Sequence, residues 1–400
     1  MSYSNRLTEN VYWVGVNDRE TELFENLWPL PNGISYNSYL IVDEKVVLVD
    51  TVKIDYQEDY LEKIMEKTND RPIDYLIINH MEPDHSGSIK ELLRLFPEMK
   101  IIGNKKTTGF LKGFYDIEDN IMEVTNNDTL DVGEKTLEFY ITPMVHWPET
   151  MMTYLQEDNI IFSGDVFGSF GAIKGSIFDD KIDLEFYEDE IMRYFSNIVG
   201  KYSPIAAKHI RSLDDLEIDI VATTHGPVWR NNPDYIIDKY LSMSTFNAEE
   251  GAVVVYGTMY GNTKKIAEEA AAGLSAAGIK NVKLYDASKT DKSYLISDIW
   301  KYKGAILASC SYNNELFPPM LSLVEALENR GIQQRYFGLI GTYSWSGGAL
   351  GRLEQFADNC NINLVEPKVE NQYAPTNTNL EKAFNLGKKV GEKIKGGESN

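Results

Sequence analysis

Four of the five histidines in this 400-residue chain stand in three short motifs at the ends of predicted strands. The densest is His80-Met81-Glu82-Pro83-Asp84-His85, four nitrogen or oxygen donors within six residues, at the end of the apolar run Tyr75–Asn79. Extended backbone sends alternate side chains to one side, so His80, Glu82 and Asp84 are expected to project together. His85 then turns in where a helix begins. Three further donors stand at the ends of other predicted strands: His146 in Met144-Val145-His146-Trp147, Asp165 in Ser163-Gly164-Asp165, and His225 in Thr224-His225-Gly226-Pro227. Singly, each has a plain explanation as a hydrogen-bonded loop residue or a turn cap. As a set they are metal-ligand chemistry. Seven donors are too many for one tetrahedral ion and suit two metals sharing a bridge. One metal takes His80, Glu82 and His146, the other Asp84, His85 and His225, and Asp165 lies between them. Three carboxylates favour a harder, redox-active ion such as iron, while leaving manganese and zinc open. His209 falls within a helical pattern and is given no site role. Trp147 and Tyr194 are candidates for the pocket wall.

A second constellation lies near residue 260. The apolar run Ala252–Tyr256 ends in Gly257-Thr258-Met259-Tyr260-Gly261-Asn262-Thr263 and passes directly into a helical pattern. Hydroxyls and glycines at a helix N-terminus present free N–H groups to an anion, aided by the helix dipole. Thr258, Asn262 and Thr263 add side-chain donors, and Gly261 permits close approach. No Lys stands in Walker-A position and there is no G-x-G-x-x-G, which disfavours an NTPase or a dinucleotide fold. Two more loops follow later strands. They are Ser309-Cys310-Ser311-Tyr312-Asn313-Asn314 and Gly341-Thr342-Tyr343-Ser344-Trp345-Ser346-Gly347-Gly348. Aromatic walls with amide and hydroxyl edges suit a flat heteroaromatic ring, and loops at strand C-termini are where open parallel sheets bind ligands.

The elements that must carry these loops differ between the two halves. Residues 1–248 hold many short β-branched or aromatic runs with interspersed helical patterns near Tyr56–Lys67, Ser86–Phe96, Glu188–Val199 and Ser203–Leu213. This predicts two packed sheets with helices outside. Residues 249–400 alternate strand and helix: strands at Ala252–Tyr256, Val282–Tyr285, Ala305–Ser309, Tyr336–Ile340 and from residue 361 to 365. Five strands alternating with helices predict a doubly wound parallel sheet, and the last residues from Lys393 onward read as a fraying tail.

Composition narrows the partners. A formal net charge of −22 opposes binding to nucleic acid or an anionic membrane. No run reaches the roughly 18 apolar residues a membrane span needs, and the start lacks a signal-peptide pattern, so a cytoplasmic protein is expected. Cys310 and Cys360 are the only cysteines, too few for a disulfide framework or a thiolate cluster, so no fused rubredoxin-type domain is expected.

The motif His80-x-Glu82-x-Asp84-His85 with His146, Asp165 and His225 resembles the metallo-β-lactamase pattern, with Glu82 in place of a histidine. Thr258 to Thr263 is similar to the FMN-phosphate signature of flavodoxin. Joined in one chain, the two halves resemble the flavodiiron proteins over nearly the whole length. The resemblance implies an αββα metallo-β-lactamase-like domain over 1–248 and a flavodoxin-like domain over 249–400. It implies FMN with Thr258, Met259, Tyr260, Gly261, Asn262 and Thr263 around the phosphate. Ser309, Ser311, Tyr312, Asn313, Asn314, Thr342, Tyr343, Ser344, Trp345, Ser346 and Gly347 would then flank the ring. Ser309-Cys310-Ser311 departs from the Pro-Thr pair common in the family. Two iron ions, reduction of dioxygen or nitric oxide, and electrons from rubredoxin or a reduced soluble cofactor are also implied. Domains of this size place two such sites tens of ångströms apart on the order of their radii of gyration, so a head-to-tail homodimer is expected. Two rival readings are a dizinc hydrolase with an accessory flavin domain and an FMN electron carrier with an inactive metal site.

Overall fold

Every residue of the strand Val46–Val49 is buried, which requires cover on both faces of its sheet. Val47 and Val49 point into a core shared with Tyr39, Ile41 and Ile77 of the same sheet and with Leu137, Phe139, Ile160 and Phe162 of a second sheet. Leu40, Leu48, Leu76 and Ile101, one residue out of phase, are buried on the opposite face, and the helix Gln57–Thr68 lies against that sheet. The computed structural model describes residues 5–360 and 362–396, and the chain divides into units Met1–Ser244 and Thr245–Asn400.

In the first unit the seven-stranded sheet runs Arg6–Thr8, Val11–Trp13, Tyr39–Val42, Val46–Val49, Tyr75–Ile77, Lys100–Gly103 and Ile121–Glu123. The five-stranded sheet runs Thr129–Asp131, Thr136–Ile141, Met151–Leu155, Ile160–Gly164 and Ile220–Thr223. This is the expected sandwich. Val46–Val49 and Tyr75–Ile77 are parallel, as are Ile160–Gly164 and Ile220–Thr223. Parallel neighbours end on the same edge, so the segments after them can meet there.

The second unit is the expected doubly wound sheet, in the order Val282–Asp286, Glu249–Gly257, Tyr302–Tyr312, Tyr336–Tyr343, Asn363–Leu364, all parallel. The order reverses between Glu249–Gly257 and Tyr302–Tyr312, the switch point at which such sheets open a crevice. The helices Asn262–Ala276 and Asn377–Gly396 cross with almost no space between their backbones. A Cβ on Gly273 would lie 2.0 Å from the Phe384 carbonyl oxygen, and one on Gly387 1.9 Å from that of Ala270.

Several boundaries differ from expectation. The run Val11–Val16 is broken into Val11–Trp13 and Val16–Asp18; a Cβ on Gly15 would lie 2.4 Å from the Tyr36 carbonyl oxygen. The helix expected over Ser86–Phe96 is two pieces, Pro83–Ser86 and Ile89–Leu95. The last strand is only Asn363–Leu364, residue 361 lying outside the described residues. Val369–Gln372 takes over the pairing with the far end of Tyr336–Tyr343. The closing helix runs to Gly396, and the tail beyond it is outside the described residues. No helix among the described residues is long and apolar enough to cross a membrane.

Candidate metal centre and flavin site

All seven predicted donors come together. They form two groups, His80–Glu82–His146–Asp165 and Asp84–His85–His225, within each of which the donor atoms lie within 4.8 Å of one another. Asp165 faces both. Its Oδ2 is 3.4 Å from His80 Nε2 and 3.2 Å from His146 Nε2, and its Oδ1 is 3.4 Å from His85 Nε2 and 3.7 Å from His225 Nε2. Glu82 Oε2 stands 3.2 Å from His80 Nε2 and 3.0 Å from His146 Nε2, and Asp84 Oδ2 3.4 Å from His85 Nε2. Simple strand alternation does not deliver this. The strand stops at Ile77, and Pro83 at the first helical position starts the turn Pro83–Ser86. Asp84 therefore departs from the line of His80 and Glu82 and joins the other group.

Residues that sequence reasoning missed brace these donors. Glu149 is fully buried; its Oε1 accepts the Met81 N–H at 2.8 Å and lies 3.1 Å from His80 Nδ1. A histidine whose second nitrogen meets a carboxylate is fixed in tautomer and orientation, as metal-binding histidines commonly are. His225 Nδ1 is 2.8 Å from the Ser35 carbonyl oxygen, and the Thr224 hydroxyl donates to Asp165 Oδ1 at 2.6 Å. Asp50, buried, accepts the Asn79 N–H at 2.8 Å and anchors the strand exit. The visible trace of Glu149 was its place three residues after His146.

The electrostatics fit a doubly cationic occupant. Burial alone would strip the proton from His80, but Asp165, Glu149 and Glu82 outweigh it and hold its pKa well above the usual value. His85 and His146 are likewise raised to about 9 against the effect of burial, by Asp84 and Asp165 and by Asp165 and Glu82 respectively. Burial and repulsion by His85 push His225 down to about 3; the two Nε2 atoms are 2.9 Å apart, with room for one proton between two lone pairs. Burial, with Glu82 and Asp165 nearby, raises Asp84 to about 7. Among the described residues, both oxygens of Asp84 and Oδ2 of Asp165 are buried without a hydrogen-bond partner; Oδ2 of each meets histidine nitrogens only as ion pairs at 3.2–3.5 Å. Metal cations between these atoms would satisfy the lone pairs that protons serve poorly.

A cavity of about 570 Å³ reaches Glu82 and Asp84, walled by Leu23, Phe24, Tyr36 and Ile54. Trp147 stands edge-on to His80 with ring centroids 5.3 Å apart. Tyr194 is fully buried, 5.5 Å from the His225 ring, and its hydroxyl has no hydrogen-bond partner among the described residues; neither Trp147 nor Tyr194 lines that cavity, both standing behind the histidines instead. His209 lies half-buried in the helix Ser203–Arg211, outside both groups.

In the second unit the three predicted loops meet at the sheet edge. Thr258, Met259, Tyr260, Asn262, Thr263, Ser311, Thr342, Tyr343 and Ser344 line one cavity, with Cys310 and Tyr373 beside them. Met259, Ser311, Asn313, Asn314, Ser344, Trp345 and Ser346 line another of about 230 Å³. Gly261, at φ +89°, precedes the helix Asn262–Ala276, and its N–H donates to Thr258 Oγ1 at 3.0 Å. Asn313 and Asn314 have φ of 52° and 61°, left-handed values that cluster at ligand sites. Gly261, Ser309, Tyr312 and Gly347 line neither cavity. Ser309 is fully buried, accepting the Phe317 N–H at 3.2 Å, because the strand continues through it to Tyr312.

A metallo-β-lactamase-type sandwich with paired donor groups, joined to a flavodoxin-type sheet, defines a class of two-centre redox proteins. Family models agree: the ODP family beta lactamase matches residues 34–226 and flavodoxin residues 254–387. The chain is 33% identical to the anaerobic nitric oxide reductase flavorubredoxin of Escherichia coli O1:K1 over 350 residues, 86% of this chain and 73% of that one. Its fold superposes on the rubredoxin oxygen:oxidoreductase of Desulfovibrio gigas with a TM-score of 0.94 and 26% identity, covering 98% and 99% of the two chains. The flavodiiron protein of Giardia intestinalis gives 0.93 and 27%, covering 99% and 98%. The chain belongs to the flavodiiron proteins, oxidoreductases that couple a flavin to a pair of irons.

Proposed function

We propose that this chain reduces dioxygen to water, nitric oxide to nitrous oxide, or both, at a two-iron site in its first unit fed by FMN in its second. The observation that carries the reading is the division of six donors into two groups of three on either side of a seventh, Asp165. His80, Glu82 and His146 would hold one ion and Asp84, His85 and His225 the other, with Asp165 shared. Bound there, the ion pair supplies two electrons and open positions for a diatomic gas, and FMN supplies two more. Four electrons match one dioxygen reduced to two waters; two match a pair of nitric oxides. Glu149, the Ser35 carbonyl and Thr224 hold the ligand rings and Asp165 in place. Phe24, Tyr36 and Leu23 give the approach apolar walls. Thr258 to Thr263 would cradle the FMN phosphate, and the loops Ser311–Asn314 and Thr342–Gly347 its ring.

The working form in this reading is a head-to-tail homodimer in the cytoplasm, taking electrons from a rubredoxin or a reduced soluble cofactor. The similarity to a rubredoxin oxygen:oxidoreductase supports that donor. The test is steady-state turnover with dioxygen and nitric oxide side by side, using one reduced donor, with iron and flavin measured on the same sample. Gas consumption that requires both cofactors is expected; turnover of neither gas by a fully loaded protein would refute the proposal. Analytical ultracentrifugation showing a fully active monomer would refute the dimer.

A further inference from the structure

The cavity lined by the phosphate-loop residues Thr258 to Thr263 has a further wall from outside the three loops. Tyr373 follows the strand Val369–Gln372 and lines the cavity with Thr258, Asn262 and Thr263. Among the described residues, those lining that cavity include no Lys or Arg, so a phosphate dianion there depends on N–H and O–H donors. Tyr373 is held firmly for a loop residue. Its backbone sits at φ 64°, a conformation that non-glycine residues adopt uncommonly and that concentrates at ligand sites. Its N–H donates to the Tyr343 carbonyl at 2.8 Å, and its own carbonyl accepts from the side-chain amide of Asn371 at 2.8 Å. Asn371 is 1% exposed. The Gln372 amide adds a bond to the Ser344 carbonyl at 2.9 Å, tying the turn to the third flavin loop. Yet the residue so firmly held through its backbone is 62% exposed. Packing within the chain does not account for a tyrosine whose backbone is fixed at a cavity wall while most of its surface lies in water.

We infer that Tyr373 belongs to the FMN site and that its hydroxyl donates a hydrogen bond to the phosphate of the bound flavin. This rests on the FMN reading of the second unit. The flavin is removed from the full chain, and apoprotein is titrated with FMN and with riboflavin, which lacks the phosphate, following flavin fluorescence. Tyr373→Phe should weaken FMN binding about tenfold, the worth of one hydrogen bond to a charged group, and leave riboflavin binding unchanged. Tyr373→Ala should weaken FMN at least as much, with the melting temperature of the apoprotein confirming that the variant folds. FMN binding unchanged in both variants would overturn the inference, and so would an equal loss for FMN and riboflavin. A wild-type apoprotein that takes up neither flavin would instead sink the cofactor assignment, and is distinguished by that control.

Discussion

Replacing Glu149 by Gln separates the ligands from what orients them. The glutamine oxygen can still accept the Met81 N–H at 2.8 Å and face His80 Nδ1 at 3.1 Å, so the shape of the site survives. What is lost is the charge on a fully buried group. A hydrogen bond to a charged acceptor is worth about 1 kcal/mol more than a neutral one, or roughly a factor of five to ten in an equilibrium constant. Loss of an outer carboxylate partner typically costs about 10–100-fold in metal affinity, so Glu149→Gln should fall near the lower figure. Glu149→Ala should reach the higher one and also destabilise the fold by about 1–3 kcal/mol, since it strands the buried Met81 N–H. The measurement is metal release to a chelator, with flavin content followed on the same samples. Because Glu149 braces only the His80 group, one of the two metals should leave faster while the other and the FMN stay. Release of both metals at the wild-type rate would refute the argument, as would loss of FMN in parallel.

Three further outcomes are expected. Asp165→Ala removes the one carboxylate that faces both groups, and bound iron should fall from two per chain to one or none by metal analysis. Tyr194→Phe deletes a buried hydroxyl that has no partner to lose among the described residues, so the melting temperature should hold or rise; if that hydroxyl serves the reaction, gas turnover should fall at unchanged iron content. Gly226→Ala puts a Cβ 2.1 Å from Ser169 Oγ at φ +79° and must shift the adjacent His225, so iron loss should come with a lower melting temperature.

The seven convergent donors were legible because their chemistry is local: four donors within six residues announce themselves, and the remaining three each close a predicted strand. The supporting shell was not legible, because its members act only after folding. Glu149 lies 69 residues from His80 and Ser35 lies 190 from His225, distances at which spacing carries no signal. The second unit's alternation of long strands and helices was readable almost throughout. In the first unit, strands as short as Leu23–Phe24 and Trp28–Pro29 fall below what a periodic pattern can show. Those two strands carry Phe24 and flank Glu25, both in the wall of the metal-site cavity. The polar stretch Val369–Gln372, with only alternate residues buried, was passed over, and Tyr373 with it.

The asymmetry of the bracing leads to one last expectation. In the first group, His80 is backed by the Glu149 carboxylate; in the second, His225 is backed by the neutral carbonyl of Ser35, and His85 Nδ1 is buried with no hydrogen-bond partner among the described residues. The carboxylate count does not compensate, since each group has one of its own, Glu82 or Asp84, and shares Asp165. The second ion should therefore bind more weakly, by a factor on the order of ten from the missing outer carboxylate. Chelation of the loaded protein should then be biphasic, and His85→Ala should abolish the fast phase while leaving the slow one. If His80→Ala removes the fast phase instead, bracing does not set the order in which the ions leave.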